Sequence, residues 1–405
     1  MNNFQYYNPV RIVFGEGQIK QLSELVPTEA RVLITYGGGS AQRTGTLDEV
    51  KNALSANGNR EVFEFGGIEA NPEFTTLLKA ADMVNEHNID FLLAVGGGSV
   101  IDGSKFVALV SSFTEDDSKN NTVSREKAWD ALLSGCANID TAIDLGAVLT
   151  IPATGSEMNN GGVVNHSERQ AKLPFRSPLV FPKFSILDPT KTLTLPERQV
   201  MNGVADAFVH VMEQYLTYPV NAKVQDAFSE SLLKILIEEG AAVKADPENL
   251  ETRKNIMWTA TMALNGLIGT GVPQDWTTHM IGHELTSLHA IDHARTLTIV
   301  LPSVLRELKD SKKDKLLQYA RNVWNIADTD LDDDTIIETA IVHTENFFRE
   351  LGLPVSLEDA ELTESAIDPI IKQLEAHKMV KLGEHGKNDL AVSRRILERA
   401  VTSKA

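Results

Sequence analysis

Three apolar, β-favouring runs early in the chain each stop on glycine: RVLITYGGGS from residue 31, EVFEFGG from 61 and DFLLAVGGGS from 90. Between and around them, LDEVKNALSAN and TTLLKAADMVNEHN space their apolar residues three and four apart, the period of a helix with one buried face. Strands that alternate with helices fold as a parallel sheet covered by helices, because each return crossing must run over a face of the sheet. Two further strands are predicted at GAVLTIPAT and FSILDP. The pattern then changes at TLTLPERQ, where Pro196 can occupy a first helical turn after Thr194. Beyond it AFSESLLKILIEEGAAVKA, RKNIMWTATMALNGL, KLLQYARNVWNI, TIIETAIVHTENFFRELG and AIDPIIKQLEAH all carry helical spacing. At 405 residues the chain exceeds what one core supports. The expected division is an α/β part over residues 1–190 and an all-helical part over residues 191–405. The charge-rich stretches DSKKDK and DTDLDDD read as solvated connections.

Thirty-eight basic against fifty-six acidic side chains give a formal charge of -18. Such a surface repels nucleic-acid phosphates and anionic lipid, so neither is an expected partner. No stretch approaches the roughly 18 to 20 consecutive apolar residues of a membrane helix. A single cysteine, Cys136, excludes an internal disulfide, and MNNFQYYNPVRIVFG lacks the basic and apolar segments of a secretion signal. The cytoplasm is the expected location.

Gly37, Gly38, Gly39 and Ser40 follow one predicted strand; Gly96, Gly97, Gly98 and Ser99 follow another and precede the helical VIDGSKFVALV. At the carboxyl end of a parallel strand, residues without side chains let backbone approach a phosphate, and the next helix offers unpaired N–H groups. A single GGGS turn is equally an ordinary tight turn, since glycine serves any left-handed backbone position. Two in one α/β half favour a Rossmann-like dinucleotide-binding domain. Neither matches GxGxxG or GxxxxGK[ST], which disfavours a standard Rossmann enzyme and an NTPase. The first loop, GGGSAQR, has no acid to hold a ribose diol and repel a 2′-phosphate. With Arg43 close by, NADP is expected over NAD, although Arg43 also fits an ordinary exposed arginine.

In NGVADAFVHVMEQYL, Asp206 and His210 stand four residues apart, one helical turn on one face. Asp206 lies among Val204, Ala205, Ala207, Phe208 and Val209, company in which a carboxylate is costly unless a cation compensates it. A second cluster, DWTTHMIGHELTSLHAIDHARTL, holds His279, His283, His289 and His293. His293 would lie about 21 Å from His279 along an unbroken helix, so one ion can join them only if the helix breaks. An aspartate with histidines resembles the mixed oxygen and nitrogen sites of Fe(II) and Zn(II). His283-Glu284 begins an HExxH protease motif, but the next histidine comes six positions later instead of four.

With these residues in view the chain closely resembles the iron-containing, or group III, alcohol dehydrogenases, particularly their NADPH-dependent aldehyde reductase and butanol dehydrogenase branch. The resemblance runs through ITYGGGS, GGIEANP, AVGGGSVIDGSKF, TIPATGSEMN, LDPTKTLTLP, GVADAFVHVMEQY and GVPQDWTTHMIGHELTSLHAIDHA, in the family's order. It implies that Asp206, His210, His279 and His293 hold one Fe(II) or Zn(II) ion and that His283 stands beside the substrate as a proton relay. It also implies that Gly37 to Ser40 face the adenosine ribose and its 2′-phosphate. Asn71, Gly97, Gly98, Ser99, Asp102, Thr150, Thr154 and Lys172 would line the rest of NADP(H). The family's NAD-preferring members often carry aspartate where Gly39 stands, in agreement with the charge argument. The implied reaction is the reversible reduction of small aldehydes to primary alcohols in a homodimer. The alternative is a dehydroquinate synthase-like lyase, which shares the two-domain plan and also uses NAD with a metal but shows no net cofactor turnover. A binding protein that keeps both pockets without catalysis would have lost part of the ligand set, and this chain retains all of it.

Overall fold

A computed structural model describes residues 1–115, 122–327 and 331–402. The chain divides into two compact units, Tyr7–Leu195 and Pro196–Ala405 together with Met1–Tyr6.

The first unit is built on a six-stranded sheet formed by β1 (Arg11–Phe14), β2 (Arg31–Tyr36), β3 (Glu61–Phe65), β4 (Phe91–Gly97), β5 (Asp144–Ile151) and β8 (Phe184–Leu187). Their order is β1-β8-β5-β4-β2-β3, and every pairing is parallel. The crossovers include α1 (Leu22–Leu25), α2 (Ser40–Arg43), α3 (Thr46–Ser55), α4 (Phe74–Glu86), α5 (Gly98–Val110) and α6 (Arg125–Leu133). Val32, Ile34, Leu93, Val95, Val148 and Ile186 of the sheet bury one face against Leu47, Val50 and Leu54 of α3. The five glycine-bounded or apolar runs thus become β2, β3, β4, β5 and β8. Because β2 pairs on one side with β3 and on the other with β4, the chain reverses its direction of growth between β2 and β4. Ligands of open α/β sheets bind outside the strand ends at such a point.

Two features of this unit had no expectation in the sequence. One is the short edge strand β1; the other is an antiparallel hairpin of β6 (Gly161–His166) and β7 (Ala171–Arg176), turned through Gln170 at φ 48°. The second glycine turn is also tighter than expected. Strand β4 runs to Gly97 and α5 begins at Gly98 with no residue between.

The second unit is helical: α7 (Glu197–Tyr215), α8 (Lys223–Ala245), α9 (Leu250–Ala263), α10 (Thr277–His289), α11 (His293–Glu307), α12 (Lys313–Asn322), α13 (Asp333–Glu350), α14 (Ile367–Ala376) and α15 (Leu390–Arg399). Helix α7 starts at Glu197 with Pro196 as its N-cap, and every residue from Gly203 to Tyr215 is buried. A helix buried on nearly all sides has to be a central one. Ile281 and Leu285 of α10, Ile299, Val300 and Val304 of α11, Ile370 and Leu374 of α14, and Ile396 and Leu397 of α15 form one core cluster. Among the described residues no helix is long and apolar enough to cross a membrane.

The reading of DSKKDK as a solvated connection is corrected by this unit. Lys312 and Lys315 are buried, paired with carboxylates from distant segments: Asp275 and Glu384 for Lys312, Asp226 for Lys315. A buried ammonium requires such partners, and a charge run shows none of them in its own neighbourhood. The first three residues of DTDLDDD, 328–330, lie outside the described residues; Asp332 caps α13, its side chain accepting from Thr335 N at 2.8 Å.

Candidate metal centre

Helix α10 carries two stripes. Ile281 and Leu285 sit in the core, and His279 and His283, offset from them by two residues or about 200° of helical rotation, face the other way. The apolar stripe therefore aims the imidazoles. After His289 the helix ends at Ala290, which adopts φ 54°, and α11 starts at His293. This is the break that the separation of His279 from His293 demands. Asp292, the N-cap residue of α11, accepts from Arg198 Nε at 2.7 Å and from Asn202 Nδ2 at 2.9 Å. Arg198, Asn202 and Asp206 recur every four residues on α7, so the two hydrogen bonds set His293 beside Asp206.

Asp206, His279 and His293 each offer a ligand atom, and these atoms lie within 4.8 Å of one another. His210 Nε2 and His293 Nε2 each stand 3.7 Å from Asp206 Oδ1. Two ligands on metal bonds of about 2.1 Å at a tetrahedral angle are separated by roughly 3.4 Å. The His210 and His279 rings stack with centroids 4.7 Å apart, and His279 and His293 stand at 5.2 Å. His283 borders the group, its ring 5.2 Å from that of His293 and 6.2 Å from that of His279. Trp276 closes another side, edge-on to His279 at 5.2 Å.

Asp206 is 3% exposed, and its Oδ1 is buried with no hydrogen-bond donor. Leaving such an atom unmatched costs several kcal/mol, about 2 to 7 even for a neutral polar group, and a divalent cation removes that cost. The donor set, one carboxylate oxygen and up to three imidazole nitrogens, fits Fe(II) and Zn(II) alike.

Sequence reasoning missed Glu213. It lies seven residues after Asp206 on the same face of α7, and it contacts His279 Nδ1 directly. Burial, with Asp275 beside it, pushes its carboxyl well above the ordinary range. The spacing of seven was a usable signal; the partner, 66 residues away, was not.

Behind α10 lies a second buried cluster. Lys312 Nζ donates to Leu216 O at 2.7 Å and to Glu384 Oε2 at 2.9 Å, and pairs with Asp275 Oδ2 at 2.8 Å. Burial would raise the Asp275 carboxyl, but hydrogen bonds from Glu384 and Lys312 hold it below its ordinary range. Burial and the shared contact with Asp275 push Glu384 up to about 7. Between the ordinary carboxylate range and about pH 7, the folded chain therefore keeps a proton on Glu384 that the unfolded chain has lost. Stability from this group is complete at the acid end of that window and declines as pH rises through it. Glu384→Gln, which mimics the protonated carboxyl, is expected to flatten the decline. Urea midpoints across that window check this, and an unchanged slope would rule out Glu384 as its source.

In the α/β unit the two glycine turns flank the reversal point between β2 and β4. Gly37 follows β2, and a Cβ there would lie 3.6 Å from Val100 of α5 and 3.2 Å from Ile68 O. Gly38 and Ser40 are exposed, and Gly39 holds φ 90°, a conformation that favours glycine. A Cβ at Gly97 would strike Ile151, and one at Gly98 would strike Thr154 Oγ1. Both glycines are therefore required by close packing at the start of α5. Around the same turn, Ser99 Oγ donates to Ala70 O and Lys172 Nζ donates to Asn71 Oδ1 at 3.0 Å. Asp102 Oδ1 accepts from Ser156 Oγ at 2.5 Å and Oδ2 from Val163 N at 3.0 Å. Thr150 lies near the end of β5. Lys105, unforeseen in the sequence, is buried with its ammonium on Ser156 O, Ser156 Oγ, Asn159 Oδ1 and Gly161 O, and burial brings it down to about 8. It ties α5 to the loop that carries Thr154.

Comparison with known proteins gives one consistent result. The model of the iron-containing alcohol dehydrogenase family matches residues 9–189, and that of the C-terminal domain of the Fe-containing alcohol dehydrogenase family matches residues 199–382. The chain is 52% identical over 400 residues to the NADPH-dependent aldehyde reductase YqhD of Escherichia coli K12, covering 99% of this chain and 100% of that protein. It is 35% identical to the NADH-dependent butanol dehydrogenase B of Clostridium acetobutylicum, over 92% of this chain and 93% of the other. Among solved structures, that of E. coli YqhD superposes with a TM-score of 0.93 over 98% of this chain and 99% of that chain, at 52% identity. The NADH-dependent butanol dehydrogenase A of Thermotoga maritima superposes with a TM-score of 0.91 at 30% identity, over 99% of each chain.

Proposed function

Since the chain belongs to the iron-containing alcohol dehydrogenase family, we propose how its residues perform that family's chemistry. The protein is an oxidoreductase that reduces aldehydes to primary alcohols with NADP(H), reversibly. The lyase alternative is not favoured, because relatives 35 to 52% identical over nearly the whole chain are an aldehyde reductase and alcohol and butanol dehydrogenases.

Asp206, His210, His279 and His293 would hold the ion, and the buried Asp206 Oδ1 without a donor is the observation that carries this reading. When bound, Fe(II) or Zn(II) supplies Lewis-acid polarisation of the carbonyl, and the reduced nicotinamide supplies hydride. Trp276, edge-on to His279, would wall one side of the carbonyl site. His283, buried beside His279 and His293, donates a proton from its ring to the developing alkoxide and takes one back in alcohol oxidation. Gly37, Gly38, Gly39 and Ser40 would receive the adenosine ribose phosphate. Gly97, Gly98 and Ser99 would bring the amides of α5 to the pyrophosphate. Asn71, Asp102, Thr150, Thr154 and Lys172 would line the remainder. By analogy with the family, the working form is a cytoplasmic homodimer.

The test is aldehyde-dependent NADPH oxidation with butanal, set beside NADH, in the wild type and in Gly39→Asp. An aspartate at φ 90° costs about 1 kcal/mol of backbone strain, but that strain weighs on both nucleotides equally. The repulsion of a 2′-phosphate weighs on NADPH alone. The expected result is stoichiometric NADPH consumption by the wild type, and a shift of the kcat/KM ratio toward NADH by about tenfold or more, equivalent to ~1.4 kcal/mol. No NADPH turnover would overturn the reaction assignment; turnover with an unchanged ratio would overturn only the loop assignment.

A further inference from the structure

The first amides of a helix need acceptors from outside it. Helix α10 carries two of the proposed ligand-side histidines, yet its N-cap residue, Trp276, provides no side-chain cap. The acceptors come from elsewhere. Asp275 Oδ1 takes Thr277 N at 3.0 Å, and Glu213 Oε1, from α7, takes Thr278 N at 2.7 Å and His279 N at 3.2 Å. The second oxygen of the same carboxylate, Oε2, meets His279 Nδ1. One buried side chain thus grips His279 at two atoms, the backbone amide and the ring.

The ring contact has a consequence for the proton. The amides of Thr278 and His279 on Oε1 favour the ionised carboxylate against its burial, and an ionised Oε2 can only accept, so the hydrogen it shares with His279 is the Nδ1 proton. A neutral imidazole that carries its proton on Nδ1 has its lone pair on Nε2. Nε2 is then the atom available to an ion shared with Asp206 and His293. We propose that Glu213 is a positioning residue that fixes the tautomer and ring angle of His279 for metal binding, while its other oxygen caps α10. The proposal rests on the ligand assignment above.

A cap alone and a cap that also sets the tautomer respond differently to Glu213→Gln. The amide oxygen can still accept Thr278 N and His279 N, so the helix keeps its cap. The amide nitrogen, however, can only donate to Nδ1, which drives the ring proton to Nε2 and blocks that atom. Co(II) affinity, measured by competition with a chromophoric chelator, is expected to fall about 10- to 100-fold, the usual effect of losing such an outer partner. The urea midpoint of the metal-free protein should stay at the wild-type value. Nitrogen NMR of the metal-free protein should show the His279 proton on Nδ1 in the wild type and on Nε2 in the variant. Wild-type Co(II) affinity in Glu213→Gln, or a matching loss of metal-free stability, would overturn the role of Glu213. His279→Ala, run alongside, separates the two assignments: it should lose Co(II) binding whatever Glu213 does. If it bound Co(II) like the wild type, the ligand set itself would fall.

Discussion

Asp206→Ala is expected to abolish stoichiometric metal binding and to lower kcat/KM for butanal reduction by about 10³ to 10⁴. Lewis-acid stabilisation of the developing charge amounts to several kcal/mol, and each ~1.4 kcal/mol is a factor of ten in rate. Chelation of the wild type should give a loss of the same size. The sign of the stability effect is the sharper test. Asp206 Oδ1 is buried without a donor, so the metal-free wild type already bears the cost of that atom. At a pH above the ordinary imidazole range, metal-free Asp206→Ala should be as stable as the metal-free wild type, or more so. Added Zn(II) should then stabilise only the wild type. Calorimetry of both proteins with and without metal reads this directly. A variant that still bound one equivalent of metal, or whose metal-free form lost several kcal/mol, would show that Asp206 is an ordinary buried partner of His210 and His293.

Such a locally unfavourable residue is what made the centre legible in the sequence. A carboxylate among Val204, Ala205, Ala207 and Phe208 breaks the apolar pattern of α7, and rule-breaking positions concentrate at functional sites. Strands β2 and β4 were legible because a parallel strand buried on both faces reads as a continuous apolar run, whereas β3, at the sheet edge, was legible by its alternation and its closing glycines. The β6–β7 hairpin was not. Gly161, Gly162 and Pro174 dilute its alternation, so the face that buries Val164, Ala171 and Phe175 does not show as a strand pattern. Nor was the helix α15 singled out, although Ile396 and Leu397 bury one side of it among many polar residues. The buried charges were the least visible of all. Lys105, Lys312 and Glu213 look like any surface charge in sequence, because the groups they bond to or pair with lie 37 to 96 residues away. Periodicity reports which face of a helix is buried; it carries no information about which distant carboxylate meets which ammonium.

Lys312→Met is expected to destabilise the folded chain by about 3 to 5 kcal/mol, the usual result of removing one partner of a buried ion pair. Lys312 is 3% exposed, and its side chain lies between Asp275 and Glu384. With Glu384 holding a proton, the cluster comprises one cation and one anion. Methionine fills the same volume but leaves the Asp275 charge uncompensated and Leu216 O without its donor. In thermal unfolding this corresponds to a fall in Tm of about 6 to 20 °C for a unit of this size. The charge argument predicts a partial rescue that a packing argument does not. Asp275→Asn keeps an oxygen to accept Thr277 N while removing the charge, so Lys312→Met with Asp275→Asn should recover a substantial part of the loss. In a double-mutant cycle the pair should therefore couple by more than 1 kcal/mol. Additive losses would mean that Lys312 matters for its volume and its bond to Leu216 O. Because Asp275 also holds the first turn of α10, coupling would place the charge balance of this cluster among the determinants of where His279 and His283 stand.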